Sequence, residues 1–70
     1  MPLTMVATGE VREVAGIRGK SDITRRLQDL GFVKGEKIQV IGDSQDGLIL
    51  MVKGVKVAIN KGLASLISVI

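Results

Sequence analysis

The side chains available for chemistry in this 70-residue chain are mainly arginine, lysine, aspartate and glutamate, because it contains no histidine and no cysteine. Without histidine the chain lacks the commonest metal ligand and general base, and without cysteine it lacks thiolate ligands and disulfides. Neither a nucleophile with its base nor a pair of catalytic carboxylates can be assembled from what remains. The sequence therefore predicts a protein that is not an enzyme.

Two pairs of residues are candidate metal ligands. Asp43 and Asp46 lie in a turn-forming segment, where carboxylates usually accept Asx-type hydrogen bonds and where a calcium loop would need more ligands. Met5 and Met51 are far apart in sequence, and methionine most often fills gaps in a core. We therefore predict no metal site and no cofactor.

The adjacent arginines Arg25 and Arg26 are candidates for binding an acidic partner surface. Ion pairs on a solvated helix face are the more ordinary use of such residues. For Arg26 a structural role is also open, in which it holds Glu10 or Glu13 of a neighbouring strand.

Composition describes a small folded domain, 1–70, with 46% hydrophobic and 24% charged residues and a formal net charge of +3. No apolar run approaches the length of about 18–20 residues that spans a bilayer, and the N-terminal segment lacks the basic start of a signal peptide. We expect a cytoplasmic protein without direct membrane insertion. The mildly basic charge permits an acidic partner without requiring one.

A single convincing helix is predicted over residues 21–30, with Ser21 or Asp22 as the N-cap. Its apolar residues recur at helical spacing, at Ile23, Leu27 and Leu30. Gly31 follows at the position where a left-handed residue ends a helix. Burial of Leu27, Leu30 and Phe32, the only aromatic residue, predicts that Leu30→Ala unfolds most of the domain.

Five short strands are predicted, over residues 10–17, 37–41, 48–53, 55–59 and 66–70, after an extended lead-in over 2–8. Gly16 suggests a bulge in the first strand, Asp46-Gly47 and Lys53-Gly54 suggest hairpin turns, and residues 60–64 suggest one helical turn. The fold class is mainly β, a small α+β domain: a five-stranded antiparallel barrel with one inserted helix.

Alternation along these strands predicts which residues face the core. The inward set is Val11, Val14 or Ala15, Ile17, Ile38, Val40, Leu48, Leu50, Val52, Val57, Ile59, Ile67 and Val69. Several further apolar residues cannot fit inside as well, so some must face outward: Ile41, Ile49, Met51, Leu66 and Ile70. Exposed apolar residues on so small a domain indicate a contact surface, either for a partner protein or for self-association.

The chain also resembles a known family over essentially its whole length. The resemblance rests on Gly9-Glu10, Arg26-Leu27, Leu30-Gly31 followed by Phe32, Gly35, and Val57-Ala58-Ile59. These segments are similar to those of the ferrous-iron transport protein A (FeoA) family. The resemblance implies an SH3-like barrel that works beside FeoB, the membrane ferrous-iron transporter with a cytoplasmic G-protein domain. The same barrel is similar to the C-terminal domain of some iron-dependent repressors.

These observations together predict a non-catalytic adapter or regulator of ferrous-iron uptake. The predicted partner contacts are Arg25, Arg26, Ile49 and Met51, and homo-oligomerisation is an open alternative use of the apolar face. Although the resemblance links the chain to Fe(II), we expect weak or no Fe(II) binding by the isolated protein, because no imidazole is present.

Two rival functions remain open at this stage. One is a nucleic-acid-binding barrel that uses the basic residues Arg18, Lys20, Arg25, Lys53, Lys56 and Lys61. Single-strand binders stack bases on aromatic rings, and Phe32 is the only ring available, so we expect no nucleic-acid partner. The other is a stand-alone relative of the repressor domain.

Overall fold

The computed structural model describes residues 1–70. A 3₁₀ turn at Leu3–Met5 precedes seven further elements: β1 (Val11–Ile17), α1 (Ser21–Asp29), β2 (Lys37–Asp43), β3 (Gly47–Val52), β4 (Val55–Asn60), α2 (Lys61–Ala64) and β5 (Ile67–Val69). Neither helix has both the length and the apolar character needed to cross a membrane. The predicted five strands, the inserted helix and the short second helix are confirmed.

The five strands form one antiparallel sheet in the order β4-β3-β2-β1-β5. The sheet is not closed, because its outermost strands β4 and β5 do not pair with each other. The chain leaves β4 through α2 and returns to pair with β1 instead. The predicted barrel is thus a curled sheet with two edges.

Two irregularities bend the sheet. The register of β1 against β5 shifts between Val14 and Gly16, which confirms the predicted bulge. A second shift lies between Val40 and Gly42 on β2, and the sequence did not predict it. Bulges of this kind increase the local twist and let a small sheet curl around one core.

The core is one cluster of fourteen buried residues. Leu27 and Phe32 are completely buried in it, as predicted, together with the inward residues of β2 and β3. Most of the predicted inward set is confirmed, with Val14 rather than Ala15 buried, and Ile17 and Val57 packed against the cluster while partly exposed.

Two core predictions are wrong. Val11 is 54% exposed because it pairs with Gln39, whose neighbours Ile38 and Val40 take the inward positions of β2. Leu30, the C-cap of α1, keeps helical backbone geometry but is 42% exposed, so its side chain lies outside the face that buries Leu27. The apolar stripe of α1 therefore stabilises the domain mainly through Leu27, with Ile23 partly buried.

The N-terminal segment is another correction. In place of an extended lead-in, it forms a 3₁₀ turn that buries Leu3 and Val6 in the core. Met5, predicted to fill a core gap, is instead 69% exposed. The 3₁₀ geometry explains the difference, because positions 3 and 6 lie on one side of a three-residue turn.

Both ends of α1 are set by backbone geometry and not by side-chain capping. Lys20 is the N-cap and no side chain caps the helix, so the predicted capping by Ser21 or Asp22 is wrong. At the other end, Gly31 has a φ of +108°, as predicted for a left-handed terminator. A Cβ on Gly31 would lie 2.8 Å from Cγ1 of Val52, so the absence of a side chain also allows the helix end to approach β3.

Candidate functional site

The outer side of the sheet, away from the core, carries the candidate surface. One row of this side crosses four strands, because Val11 pairs with Gln39, Gln39 with Met51, and Met51 with Lys56. In the next row Ile49 pairs with Ala58 on β4 and with Gly42 on β2. Residues paired directly across antiparallel strands share a face of the sheet.

The β2 bulge makes this face more apolar. The bulge places both Ile41 and Gly42 opposite Ile49, and a Cβ on Gly42 would lie 3.7 Å from the Ile49 side chain. Val11 is 54%, Ile49 41% and Ile41 38% exposed. We call Val11, Ile41, Ile49, Met51 and Ala58 the outer apolar patch.

A shallow groove of about 360 Å³ lies at one end of this patch, beside the β2–β3 turn. It is lined by the paired residues Ile49 and Ala58 and by the polar residues Ser44, Asp46 and Asn60. The groove thus combines apolar and polar lining residues, among them one carboxylate.

The predicted contact residues lie on two separate surfaces. Ile49 and Met51 belong to the outer apolar patch, whereas Arg25 and Arg26 are exposed on α1, which buries Leu27 on the core side of the sheet. Neither arginine forms an ion pair with a carboxylate. The alternative in which Arg26 holds Glu10 or Glu13 is wrong, because Glu10 pairs with Arg12 at 2.9 Å and Glu13 forms no ion pair.

The turn between β2 and β3, which carries Asp43 and Asp46, is held by contacts that the sequence did not predict. Asp43 pairs with Lys61 at 2.7 Å, and the turn is closed by Ser44, whose backbone N–H and hydroxyl both donate to the Gly47 carbonyl. No group of three or more acidic side chains is close enough to hold a metal ion.

Lys53, like Lys61, forms an ion pair within the domain, with Glu36 at 3.9 Å. Two of the six cations considered for nucleic-acid binding are therefore engaged within the domain.

Three further residues on which the family resemblance rests, Gly9, Glu10 and Gly35, hold turns against the sheet. Gly9 and Gly35 have positive φ values of +94° and +92°. Their N–H groups donate to the carbonyl oxygens of Val40 and Val14, at 2.6 and 2.8 Å. Glu10 accepts from the backbone N–H of Ala7 at 2.9 Å. These residues tie the turns before β1 and β2 to the sheet.

The sequence did not identify Val11 and Ala58 as members of the outer surface. Alternation alone predicts an inward Val11, and Ala58, which is exposed on β4, is too small to mark an apolar surface in the sequence. The pairing of Val11 with the polar Gln39 would have been the distinguishing signal, but it depends on register.

A five-stranded antiparallel curled sheet, with a helix inserted after its first strand and an exposed apolar outer face, defines a small SH3-like domain. The FeoA domain model matches residues 1–70, and the chain belongs to this family. No curated protein sequence matches it significantly.

Solved structures agree with this assignment. A crystal structure of an iron uptake regulatory protein (FeoA) is similar with a TM-score of 0.92 and 34% identity, over 99% of this chain and 93% of that one. FeoA of Stenotrophomonas maltophilia complexed with zinc, described as a prokaryotic SH3 domain protein and a candidate ferrous iron transport activating factor, has a TM-score of 0.88 and 26% identity, over 100% of this chain and 89% of that one.

A manganese-dependent transcriptional repressor shares the fold, with a TM-score of 0.91 and 18% identity. The similarity covers 100% of this chain but 35% of the repressor. At this identity the likeness concerns the fold alone.

Proposed function

We propose that this protein is a non-catalytic adapter of ferrous-iron transport that docks on the cytoplasmic G-protein domain of a FeoB-type transporter. Membership of the FeoA family supports a role in iron uptake, since relatives are described as an iron uptake regulatory protein and as a candidate transport activating factor. The proposal places the protein in the cytoplasm and requires no catalytic residue.

The observation that carries the proposal is the outer apolar patch. Val11, Ile41 and Ile49 are each more than a third exposed and lie on one face of the sheet. Fully burying an aliphatic side chain contributes about 1.5–3 kcal/mol, so covering several partly exposed ones supplies a few kcal/mol to an interface. Such a patch on a small domain is typical of a protein contact surface.

Arg25 and Arg26 offer a second, electrostatic contact. Both are exposed on α1 and lack a carboxylate partner within the domain. Charges at the rim of an interface mainly increase association rate and specificity. An acidic surface on the transporter would be the complementary partner.

The regulatory effect of such an adapter arises from differential affinity. A ligand shifts an equilibrium between two states only when it binds one of them more tightly. A preference of about 1.4 kcal/mol for one nucleotide state of the G-protein domain would shift the ratio of states about tenfold.

A pull-down against the G-protein domain, performed with a GTP analogue, with GDP and without nucleotide, tests the proposal. We expect binding in at least one state, and loss of binding in Ile49→Asp and Met51→Asp. Met5→Asp is the matched control, because Met5 is 69% exposed but lies outside the sheet. Arg25→Glu with Arg26→Glu tests the second surface, with Lys34→Glu as its control. Absence of binding in every nucleotide state would contradict the adapter model.

A further inference from the structure

The two edges of the sheet differ in how they are covered. The edge of β5 is occupied by the N-terminus: the N–H of Val69 donates to the carbonyl of Met1 at 2.7 Å, and Pro2 forms a bridge with Ser68. Beyond β4 no strand pairs. An uncovered edge presents unpaired backbone groups to which another strand can bind. The sheet therefore has one available edge, at β4.

The turn between β3 and β4 determines which backbone groups face outward. Lys53 and Gly54 have φ values of +52° and +76°, as in a two-residue hairpin turn, so Val52 and Val55 form a hydrogen-bonded pair. Hydrogen-bonded pairs alternate along an antiparallel ladder. The N–H and C=O groups of Lys56 and Ala58 consequently point away from β3, and they form no hydrogen bond in a turn, loop or cap.

Charge along this edge is arranged in a self-complementary way. Lys56 and Asp46 have no ion-pair partner within the domain. Lys56 pairs with Met51 and Asp46 precedes Gly47, so about five residue steps, roughly 17 Å, separate them along the strand. A lysine cannot reach across this distance within one copy. Antiparallel pairing of two β4 strands brings the lysine end of one to the aspartate end of the other.

We propose that two copies of this chain pair antiparallel through β4, about a twofold axis at Val57, to form a continuous sheet. In this register Lys56 of one copy lies opposite Ala58 of the other, and each pair exchanges two backbone hydrogen bonds. Within β4 no two lysines face each other, because its only lysine, Lys56, lies opposite Ala58. The small Ala58 leaves room for the aliphatic part of the incoming lysine.

The groove beside Ala58 is the receptor for this lysine. Its lining residues Ile49 and Ala58 cover the apolar stem, and Asp46, which also lines it, accepts a hydrogen bond from the ammonium group. Lysine side chains commonly bury their stems while the charged end remains at a polar rim. The contact occurs twice, once in each direction.

The same register covers an exposed apolar residue near the turn. Val55 is 60% exposed, and in the dimer it lies opposite Ile59 of the second copy. Because the edge of β5 is already occupied, head-to-tail pairing of β4 with β5 is blocked, and the assembly closes as a twofold dimer. Both outer apolar patches then face the same side of one sheet.

Sedimentation equilibrium of the pure protein over a wide concentration range tests the proposal. We expect a monomer–dimer equilibrium that weakens as salt increases. Ala58→Pro removes the N–H donated to the second copy without removing a hydrogen bond to β3, and should raise the dissociation constant about 10- to 100-fold. Its circular dichroism spectrum checks that the monomer remains folded.

A series of charge exchanges tests the register of the two β4 strands in the dimer independently of Ala58→Pro. Lys56→Asp and Asp46→Lys should each raise the dissociation constant about tenfold, and the double exchange should restore most of the affinity. Lys37→Asp is the matched control, because Lys37 carries the same charge on β2, away from the edge. Failure of the double exchange to restore affinity would overturn the proposal, even if Ala58→Pro does not fold. A monomer at every concentration, or an assembly larger than a dimer, would also overturn it.

Discussion

Replacing Leu27 with alanine should destabilise the domain far more than replacing Leu30. Both leucines belong to the apolar stripe predicted for the helix, and the sequence pattern alone treats them alike. In the structure Leu27 is completely buried, whereas Leu30 is 42% exposed. Comparing the two substitutions therefore tests whether the loss of stability follows the burial of each side chain or its place in the sequence pattern.

The expected magnitudes differ by several kcal/mol. Truncating a fully buried leucine to alanine costs about 2–5 kcal/mol, because it removes apolar contacts and leaves a cavity. At about 0.05–0.15 kcal/mol per residue, a domain of this size has a total stability of about 4–10 kcal/mol. Leu27→Ala should therefore remove about a fifth or more of the free energy of unfolding. Leu30→Ala should cost about 0–1 kcal/mol, as most surface substitutions do.

Urea titration and thermal melting, both followed by far-ultraviolet circular dichroism, measure the difference. The chain has no tryptophan or tyrosine, so intrinsic fluorescence is of little use. We expect Leu27→Ala to lower the melting temperature by about 10–40 °C and Leu30→Ala by less than about 8 °C. Equal destabilisation by the two substitutions would refute the packing of α1 described above.

Two further predictions concern the end of α1 and iron. Gly31→Ala should destabilise the domain by about 1–3 kcal/mol more than Gly35→Ala, because both glycines have positive φ but only Gly31 would place its Cβ against Val52. Urea titration of the two variants gives this difference, and equal costs would contradict the close approach. Titration calorimetry of the isolated protein with Fe(II) should show no tight site, since no imidazole, thiolate or group of three carboxylates is present. A tight one-to-one complex would contradict this expectation.

Much of the fold could be predicted from local signals. Gly54, in the hairpin turn after β3, and the glycine terminator Gly31 both have the positive φ values that glycine adopts readily. The alternation of β2 and β3 correctly assigned their buried residues, such as Ile38 and Leu50. In these segments the residue pattern and the local backbone geometry agree, so no distant contact is needed to interpret them.

The candidate site was less accessible to prediction. Ile49 and Met51 were correctly expected to lie on the outer side of the sheet. That Arg25 and Arg26 lie on a different surface could not be known, because it depends on how α1 packs against the sheet. The contribution of Ile41 likewise depends on a bulge that is visible only in the pairing of β2 with β3.

The sequence by itself determined the number of strands, the position of the helix and the absence of histidine and cysteine chemistry. These properties follow from residue type and from periods of two and 3.6 residues, which act over short distances. The tertiary structure decided that Val11 faces outward, that Leu3 is buried and that one sheet edge remains open. Each of these depends on which strand or segment lies alongside, and long-range pairing is not encoded in the local period.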